Sequence, residues 1–493
     1  MILAHLPALQ VVLPLLGAAL CALIGERRTA WAIAAVISAA MPLVAGGLLV
    51  QVLSDGVISY HLGGWQPPYG IEYRVDVANA YMLLIISVIA ALVMPYAVRS
   101  VAEEIPENKQ AWFYAMYLLC LCGLLGITIT GDAFNAFVFL EISSLSTYVL
   151  IAMGRDRRAL LASFQYLVMG TIGATFYVLA IGLLYSMTGT LNFVDIAQRL
   201  DGLENSRPVL AALAFLTVGL GLKLALFPLH AWLPNAYAGA PSVATVFLAA
   251  TATKVAVYLL LRFYFTVFGF EIVFGAHPVS ELLVILSLAA MFVASAAAIF
   301  QDNIKRMLAY SSVAQVGYIT LGMAIGNATA LTGGLVHLFN HALMKGGLFM
   351  AVGCVALRVG SVKIEDLAGI GRTMPVTMSA FVLAGLSLIG VPGTVGFVSK
   401  WYLVLGAFQQ GWWWLAFLIV ISSVLAVVYI GRIVEIAWFR EPAGAVAAAT
   451  EPPLSMMVPT LILVGACVVF GIDADITAGT AMQAANVLIE GLR

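Results

Sequence analysis

The chain has 493 residues, of which 63% are hydrophobic and only 10% are charged, whereas an ordinary soluble domain carries roughly a quarter charged residues. This composition excludes a water-soluble enzyme and predicts an integral membrane protein. The net charge of −1, from 23 basic and 24 acidic residues, excludes the basic surface that nucleic-acid binding requires.

Apolar runs, separated by charged or Pro/Gly-rich breaks, predict an all-α polytopic membrane protein with about 14 transmembrane helices. The runs lie at 7–24, 31–52, 77–98, 111–129, 133–153, 162–187, 209–238, 242–262, 280–300, 307–325, 330–357, 377–405, 412–437 and 454–470. The first run lacks a basic leader and a small-residue cleavage site, so we expect it to be retained as a span. Residues 1–493 would form a single integral membrane domain, with helices 1–3 in 1–110 and a last helix and tail in 454–493.

The seventh and twelfth runs each carry a Pro/Gly break at mid-membrane depth, at Pro228 and at Pro392. Interrupted helices at corresponding positions of two halves indicate a transport site. Helices 7 and 12 are five helices apart, and an odd number of membrane crossings gives the second unit the opposite orientation in the membrane. We therefore expect two inverted five-helix repeats, helices 4–8 in 111–262 and helices 9–13 in 280–437, with helices 7 and 12 broken.

Charged residues deep within these runs are Glu141, Lys223, Lys254, Lys345 and Lys400. Each costs roughly 2.5–3.5 kcal/mol even on a lenient insertion scale. A single such lysine could be a snorkelling residue or an ion-pair partner, but one carboxylate cannot compensate four ammonium groups. A low-dielectric interior disfavours the charged form of a lysine, and a group that is neutral or charged near neutral pH can carry a proton. We therefore interpret the set as a proton path.

Lys223 and Lys400 differ in their position relative to the breaks. Lys223 lies near the C-terminal end of a half-helix, where the negative end of the helix dipole favours an ammonium. Lys400 follows its break, and we expect it to lack that stabilisation. We expect Glu141 to pair with Lys223, since a carboxylate beside a lysine can stay ionised in lipid.

Histidines accompany these charges. His337, His341 and Lys345 are spaced by four residues, so they fall on one helix face over about 12 Å. Histidines satisfied by hydrogen bonds in the core are the alternative. His230 lies in the seventh-run break, and Asp132 lies at the mouth of the fifth run, where a helix cap is the alternative to a supporting role.

The cysteines lie inside apolar runs and show neither CxxC spacing nor adjacent histidines, so we expect packing residues and no cofactor or metal. They are Cys21, Cys120, Cys122, Cys354 and Cys467.

Several of these residues lie in recognisable motifs. The stretch 221–237 (GLKLALFPLHAWLPNAY), Thr253-Lys254, the Phe-x-x-x-Glu that ends at Glu141 and the Gly-Phe-x-Ser-Lys that ends at Lys400 resemble the proton-conducting subunits shared by respiratory complex I and Mrp-type multisubunit cation/proton antiporters. Within this family the chain is most similar to the D-type branch of the Mrp antiporter subunits. The similarity lies in the loop 63–71 (GGWQPPYGI), in the sequence of the seventh-run motif and in the short tail.

The resemblance implies a role for each residue: an essential pair in Glu141 and Lys223, a connecting lysine in Lys254, a central axis in His337, His341 and Lys345, a terminal lysine in Lys400, and supporting roles for Asp132, Pro228, His230 and Pro392. It implies a proton-translocating subunit of a monovalent cation (Na⁺)/H⁺ antiporter, a secondary transporter and not an enzyme, in a prokaryotic cell membrane. Its partners would be other membrane subunits, protons, Na⁺ or another monovalent cation, and lipid, with no nucleic acid.

Two alternatives stay open. The first is a proton-pumping subunit of a complex I or hydrogenase-type redox complex, without redox centres of its own. The complex I subunit of similar length is expected to carry a glutamate at the position of Lys400, so lysine there weighs against this assignment. The second is a membrane scaffold whose buried charges only specify helix packing, which mutation of Lys223 and Lys400 would distinguish from transport.

Loop charge predicts the orientation. With the N-terminus outside, inner loops hold fourteen basic residues, Arg155 and Lys305 among them, and outer segments hold five, among them Arg262 and Arg493. By the positive-inside rule both termini are extracytoplasmic. Alkaline phosphatase fused to either terminus should be active and green fluorescent protein should be dark; the reverse result at either end would contradict the orientation.

Overall fold

The computed structural model describes residues 2–154, 157–203, 205–275 and 277–490, and these are mostly helical. Within these ranges twelve helices are long and apolar enough to cross a membrane, or thirteen if the pair Glu365–Thr373 and Pro375–Ile389, bent by 110°, is one span. The chain is therefore an all-α polytopic membrane protein, as the composition predicts. Arg155 and Arg493, used in the charge count, lie outside the described residues.

The α-helices follow the apolar runs. They are α1 (Leu6–Ile24), α2 (Arg27–Asp55), α3 (Val77–Glu104), α4 (Gln110–Ile129), α5 (Ala133–Ala152), α6 (Arg157–Thr188), α7 (Phe193–Arg199), α8 (Arg207–Leu224), α9 (Trp232–Gly239), α10 (Ser242–Ala250), α11 (Ala252–Leu261), α12 (Val279–Ala289), α13 (Ser295–Ile299), α14 (Ile304–Ala324), α15 (Ala328–Val359), α16 (Ile370–Thr373), α17 (Pro375–Ile389), α18 (Val395–Gln409), α19 (Trp413–Val434), α20 (Leu454–Ile472) and α21 (Asp475–Glu490). Each of the fourteen runs coincides with one helix or with consecutive helices. The run at 307–325 is α14, which has 21 residues but is more polar than the twelve.

Three of the runs are interrupted. Helix α8 is followed by Ala225 in the left-handed conformation (φ 60°), and α9 begins only at Trp232. Helix α17 is followed by Gly390 at φ 93°, and α18 begins at Val395. The sequence predicted both of these breaks. A third break, at Thr251 between α10 and α11, contains neither proline nor glycine and was not predicted.

Matching elements recur in two segments, each of which holds five of the runs. Helices α6 and α15 both have 32 residues, and α11 and α19 both continue into π-helices. Asp132 forms an isolated antiparallel bridge with Asn192, and Asn303 forms one with Lys363. Asp132 directly precedes α5, and Asn192 lies four residues beyond the end of α6. In the same way, Asn303 directly precedes α14, and Lys363 lies four residues beyond the end of α15. These matches fit the two repeats expected from the sequence, whose bounds stay a prediction.

Helix α15 lies at the centre of the bundle, where it packs against α3, α10, α14, α17, α18, α20 and α21. Helix α21 lies where the sequence indicated only a tail, and it packs on α3 and α15. The strands β1 (Ile58–His61) and β2 (Glu72–Val75) form an antiparallel hairpin, with Ile58 opposite Val75. Of the helices that flank the breaks, α10, α17 and α18 pack directly on α15.

Two of the cations counted as loop residues are buried. Lys305, 5% exposed, lies in the first turn of α14 and donates to the Ala240 carbonyl at 3.3 Å. Arg262 pairs with Asp76 and donates from Nε to the Tyr258 hydroxyl at 2.7 Å. When Lys305 is left out of the inner loops and Arg262 out of the outer segments, the inner loops still hold more basic residues than the outer segments. The predicted orientation is therefore unchanged.

The break between α17 and α18 depends on a glycine. A Cβ on Gly396 would lie 1.8 Å from the Ser387 carbonyl oxygen, which is backbone and cannot turn aside. We expect Gly396→Ala to lower the free energy of unfolding by about 1–3 kcal/mol or more. The matched control is Gly431→Ala in α19, where a Cβ meets nothing within 4 Å. Thermal unfolding in detergent measures both, and equal melting temperatures would contradict the packing.

Candidate functional site

Glu141 on α5 and Lys223 on α8 lie together, as the sequence predicted. The Lys223 Nζ is 3.8 Å from the Glu141 Oε1 and donates to the Ser144 Oγ at 2.7 Å. The lysine side chain is 5% exposed and the glutamate side chain 29%. The pair therefore combines a buried ammonium with a carboxylate on the rim of the bundle, and Ser144 is a ligand that sequence analysis missed.

A cavity of about 20 Å³ separates Lys223 from the first turns of α11. Ser143, Ser144 and Thr147 line it on one side, and Ala252 and Val255 on the other. This volume holds about one water molecule. The cavity therefore leaves room for a water molecule between Lys223 and α11, the helix that also carries Lys254, although Lys254 itself does not line it.

Lys254 is 1% exposed, and its Nζ donates to the Ala249 carbonyl across the break at Thr251. It also interacts electrostatically with His337, His341 and Lys345 on α15. Lys254 therefore lies near the ionisable groups of the central helix, and its role as a connecting residue stays a prediction.

The three predicted α15 residues are fully buried. The His337 and His341 rings are nearly parallel, with centroids 6.3 Å apart. The Lys345 Nζ donates to the Leu308 carbonyl at 2.9 Å and to the Ser311 hydroxyl. Both ring nitrogens of His341 are buried and have no hydrogen-bond partner among the described residues. The expected arrangement of three titratable groups along one helix face is present.

Lys400 on α18 reaches back across the break in its own run. Its Nζ donates to the Ile389 carbonyl at 2.7 Å, the Leu388 carbonyl at 3.2 Å and the Ser423 Oγ at 2.9 Å, and it lies 4.8 Å from the centre of the Tyr318 ring. The expectation that Lys400 lacks a helix C-terminus is wrong, because the side chain extends to the last carbonyls of α17, where the helix dipole favours an ammonium.

The same arrangement occurs at the other breaks. The Trp232 Nε1 donates to the Leu222 carbonyl at 2.9 Å, across the break between α8 and α9, as Lys254 does to Ala249. At each break, a donor from the following segment thus satisfies a carbonyl that the helix end has freed.

The four supporting residues flank this arrangement. Asp132 caps α5, since its Oδ1 accepts from the Asn135 N–H at 2.7 Å, and burial raises the pKa of its carboxyl. Pro228 and Pro392 are exposed at their breaks. His230 stacks on Phe227, with ring centroids 5.1 Å apart. The cap is observed for Asp132, and a part in transport stays a prediction for all four.

Sequence reasoning missed the neutral ligands of the ionisable groups. They are Ser144, Ser311, Gln315, Tyr318, Ser399 and Ser423. Three of them lie on α14, whose run is less apolar than its neighbours, so polar residues inside an apolar run were the available signal. In the described ranges no group of three or more metal-ligating side chains occurs, and the five cysteines are buried and free.

Comparisons with known proteins identify the family to which the chain is similar. The family model described as "NADH:quinone oxidoreductase/Mrp antiporter, TM" matches residues 130–426. The chain is 43% identical over 487 residues to the N-type subunit of an NADH-quinone oxidoreductase from Desulforudis audaxviator, covering 95% of this chain and 96% of the relative. It is 28% identical over 482 residues to the D-type subunit of the Na(+)/H(+) antiporter of Bacillus subtilis, covering 98% and 96%.

Its fold also matches a chain of the membrane-bound sulfane sulfur reductase, an archaeal respiratory membrane complex. The TM-score is 0.91 and the identity 32%, and the match covers 98% of both chains. Likeness therefore extends to both an antiporter and respiratory complexes.

The hydrogen bond from Lys223 to Ser144 can be tested against a neighbour. Ser144→Ala removes a hydrogen bond to a charged group, and we expect it to lower the free energy of unfolding by about 1.5–3 kcal/mol. Ser146→Ala is the control, because that hydroxyl donates only to carbonyls of its own helix. Unfolding in detergent at neutral pH measures both variants, and an equal effect would contradict the assignment of Ser144 as a Lys223 ligand.

Proposed function

We propose that this chain, which belongs to the NADH:quinone oxidoreductase/Mrp antiporter membrane family, translocates protons as one subunit of a multisubunit membrane complex. The protons move along a buried axis defined by Glu141, Lys223, Lys254, His337, His341, Lys345 and Lys400. The observation that supports this proposal best is how the lysines are held.

Only one of the four axis lysines has an acidic partner within the described residues, namely Lys223. The ammonium groups of Lys254, Lys345 and Lys400 bind carbonyl and hydroxyl oxygens instead. Neutral oxygens can bind an ammonium but do not cancel its charge, and uncompensated charge in a low-dielectric interior is costly. The lysines therefore share fewer protons than they have sites, which is the condition for a proton to move from one to the next.

The Glu141–Lys223 pair supplies a control on this movement. While Glu141 is ionised it stabilises a proton on Lys223, and when Glu141 is neutralised that stabilisation is lost. Because Glu141 is partly exposed at the side of the bundle, a group outside the chain can reach it. A change at this carboxylate would then release a proton from Lys223 into the axis.

The first candidate complex is a monovalent cation (Na⁺)/H⁺ antiporter, supported by the near full-length similarity to the D-type antiporter subunit of Bacillus subtilis. In such a complex this chain would carry the protons. Its axis offers nitrogen donors, whereas an alkali cation needs a cage of oxygen ligands, so the cation would cross in another subunit.

The second candidate is a redox-driven proton pump of the complex I or hydrogenase type. It is supported by the higher identity to the N-type subunit of an NADH-quinone oxidoreductase and by the match to an archaeal respiratory complex. The lysine at position 400, which weighed against this candidate, does not outweigh an identity of 43% over nearly the whole chain. Here partner subunits would perform the redox chemistry and this chain would conduct protons.

Lys223→Ala tests proton translocation in either complex. We expect it to abolish proton movement in inverted membrane vesicles, followed with a pH-sensitive dye, because it removes the one axis lysine paired with a carboxylate. Lys109→Ala, at an exposed position, should leave transport intact. Unimpaired transport in Lys223→Ala at normal subunit content would refute the proposal.

The same vesicles separate the two complexes. Addition of Na⁺ to vesicles with a preformed pH gradient should dissipate that gradient if the complex is an antiporter. An electron donor added without Na⁺ should build a gradient if the complex is a redox pump. The response that depends on Lys223 assigns the complex.

A further inference from the structure

We infer that Gln315 holds the ring proton of His337 on Nε2, so that Nδ1, which faces Ser399, is the nitrogen at which this histidine gains and loses its proton. In this scheme Gln315 is a positioning residue, and the Ser399 hydroxyl reorients when the charge of the His337 ring changes. The effect on transport rests on the proposed function, whereas the position of the ring proton does not.

His337 is fully buried between three helices, and both of its nitrogens have partners. Nε2 lies 2.9 Å from the Gln315 Oε1 of α14, and Nδ1 lies 2.8 Å from the Ser399 Oγ of α18. With the Gln315 amide in this orientation, Nε2 carries the proton, because an amide oxygen accepts hydrogen bonds and cannot donate them. In the neutral ring Nδ1 is then the acceptor.

The Ser399 hydroxyl has two acceptors and one proton. Its Oγ lies 2.8 Å from the His337 Nδ1 and 3.2 Å from the Gly396 carbonyl oxygen. While the ring is neutral, the hydroxyl donates to Nδ1. When Nδ1 takes up a proton from a protonated amine or water of the axis, Nδ1–H donates to Oγ and the hydroxyl proton turns to the Gly396 carbonyl.

Both charge states of His337 are thereby fully hydrogen-bonded, and only a hydroxyl proton rotates between them. A buried donor or acceptor left unpaired in one state would cost about 1–3 kcal/mol and bias the ring against that state. His341, one turn further along α15, shows the contrast, because neither of its nitrogens has a partner among the described residues.

Several charges face this ring from the neighbouring helices. Lys254 on α11 and Lys400 on α18 lie within electrostatic range of the ring, and His341 faces it along α15. On α14 the Tyr318 ring lies 5.4 Å from the His337 ring and 4.8 Å from the Lys400 Nζ. A proton on Lys400 therefore opposes one on His337, and Ser399 lies next to Lys400 in the chain.

The inference also gives a role to Gln315 and Ser399, two buried polar residues that the proton axis itself does not include. Ser399 is the unassigned hydroxyl of the Gly-Phe-x-Ser-Lys motif, and Gln315 is a buried polar residue in the middle of α14. Neither is titratable, so neither can carry a proton alone. Each instead acts on one nitrogen of His337.

The position of the ring proton can be read by solid-state nitrogen NMR of the complex in lipid, with ¹⁵N-labelled histidine. The chain has six histidines, and the difference from His337→Gln identifies the relevant signals. At a pH where the ring is neutral, we expect a protonated Nε2 and a bare Nδ1 in the wild type. In Gln315→Leu we expect a mixture of both tautomers. A protonated Nδ1 in the wild type, or an unchanged spectrum in Gln315→Leu, would overturn the inference.

Gln10→Leu is the matched control, because Gln10 is also fully buried and lies away from the axis. Its Nε2 donates to the Ser87 Oγ at 3.0 Å. It should leave the His337 signals unchanged. If Gln315→Leu does not assemble, the wild-type tautomer decides the inference alone.

Ser399 has its own test in transport. Ser399→Ala should slow proton flux at least tenfold, and Ser399→Thr, which restores a hydroxyl, should recover most of it. Equal flux in the two variants would overturn the role of the hydroxyl. The expected tautomer together with undisturbed flux in His337→Gln would instead count against the proposed proton path through His337.

Discussion

A helix that is interrupted inside a membrane leaves carbonyl groups that water does not reach, and the rest of this structure depends on how those carbonyls are satisfied. A donor from the segment after each of the three breaks reaches back to the helix end before it: an indole at Leu222, and lysines at Ala249 and at Leu388 and Ile389. Two of these donors are groups that can also lose a proton. The requirement of the backbone thereby places ionisable groups in the middle of the bundle.

The helices around the breaks are held by charges that match their dipoles. The Glu104 carboxylate of α3 accepts from the Ser242 N–H at the start of α10, at 2.7 Å, and Lys305 of α14 donates to the Ala240 carbonyl at the end of α9. A carboxylate at a helix N-terminus and an ammonium at a C-terminus are both favourable. These two contacts fix the link between α9 and α10, the segment that precedes the break at Thr251.

The sequence predicted the features that depend on composition and spacing. The apolar runs all became helices, the Pro/Gly motifs marked two breaks, and the four-residue spacing of His337, His341 and Lys345 predicted one buried face. The similarity to respiratory subunits was also within reach of the motifs, although they favoured the antiporter branch and the comparisons support both.

Features that depend on tertiary contacts were not predictable. The break at Thr251 has no helix-breaking residue, and the direction of the Lys400 side chain follows from the packing of α17 against α18. Lys305 and Arg262 are charged residues near run ends, the pattern of loop cations, and only the neighbouring helices bury them. Neutral ligands such as Gln315 and Ser423 are recognisable in the sequence only as polar residues inside apolar runs, and the group that each one binds follows from the packing of the helices.

The central claim is that protons move along the lysines of the axis, and that a lysine buried elsewhere in the bundle does not take part. Proton flux through the intact complex in vesicles, measured for Lys254→Met and for Lys305→Met, tests it most directly. Both lysines are buried and both bind a carbonyl at a helix end, but only Lys254 belongs to the axis. The account predicts loss of flux in Lys254→Met and retained flux in Lys305→Met at equal subunit content. Retained flux in Lys254→Met, or equal loss in both, would contradict it.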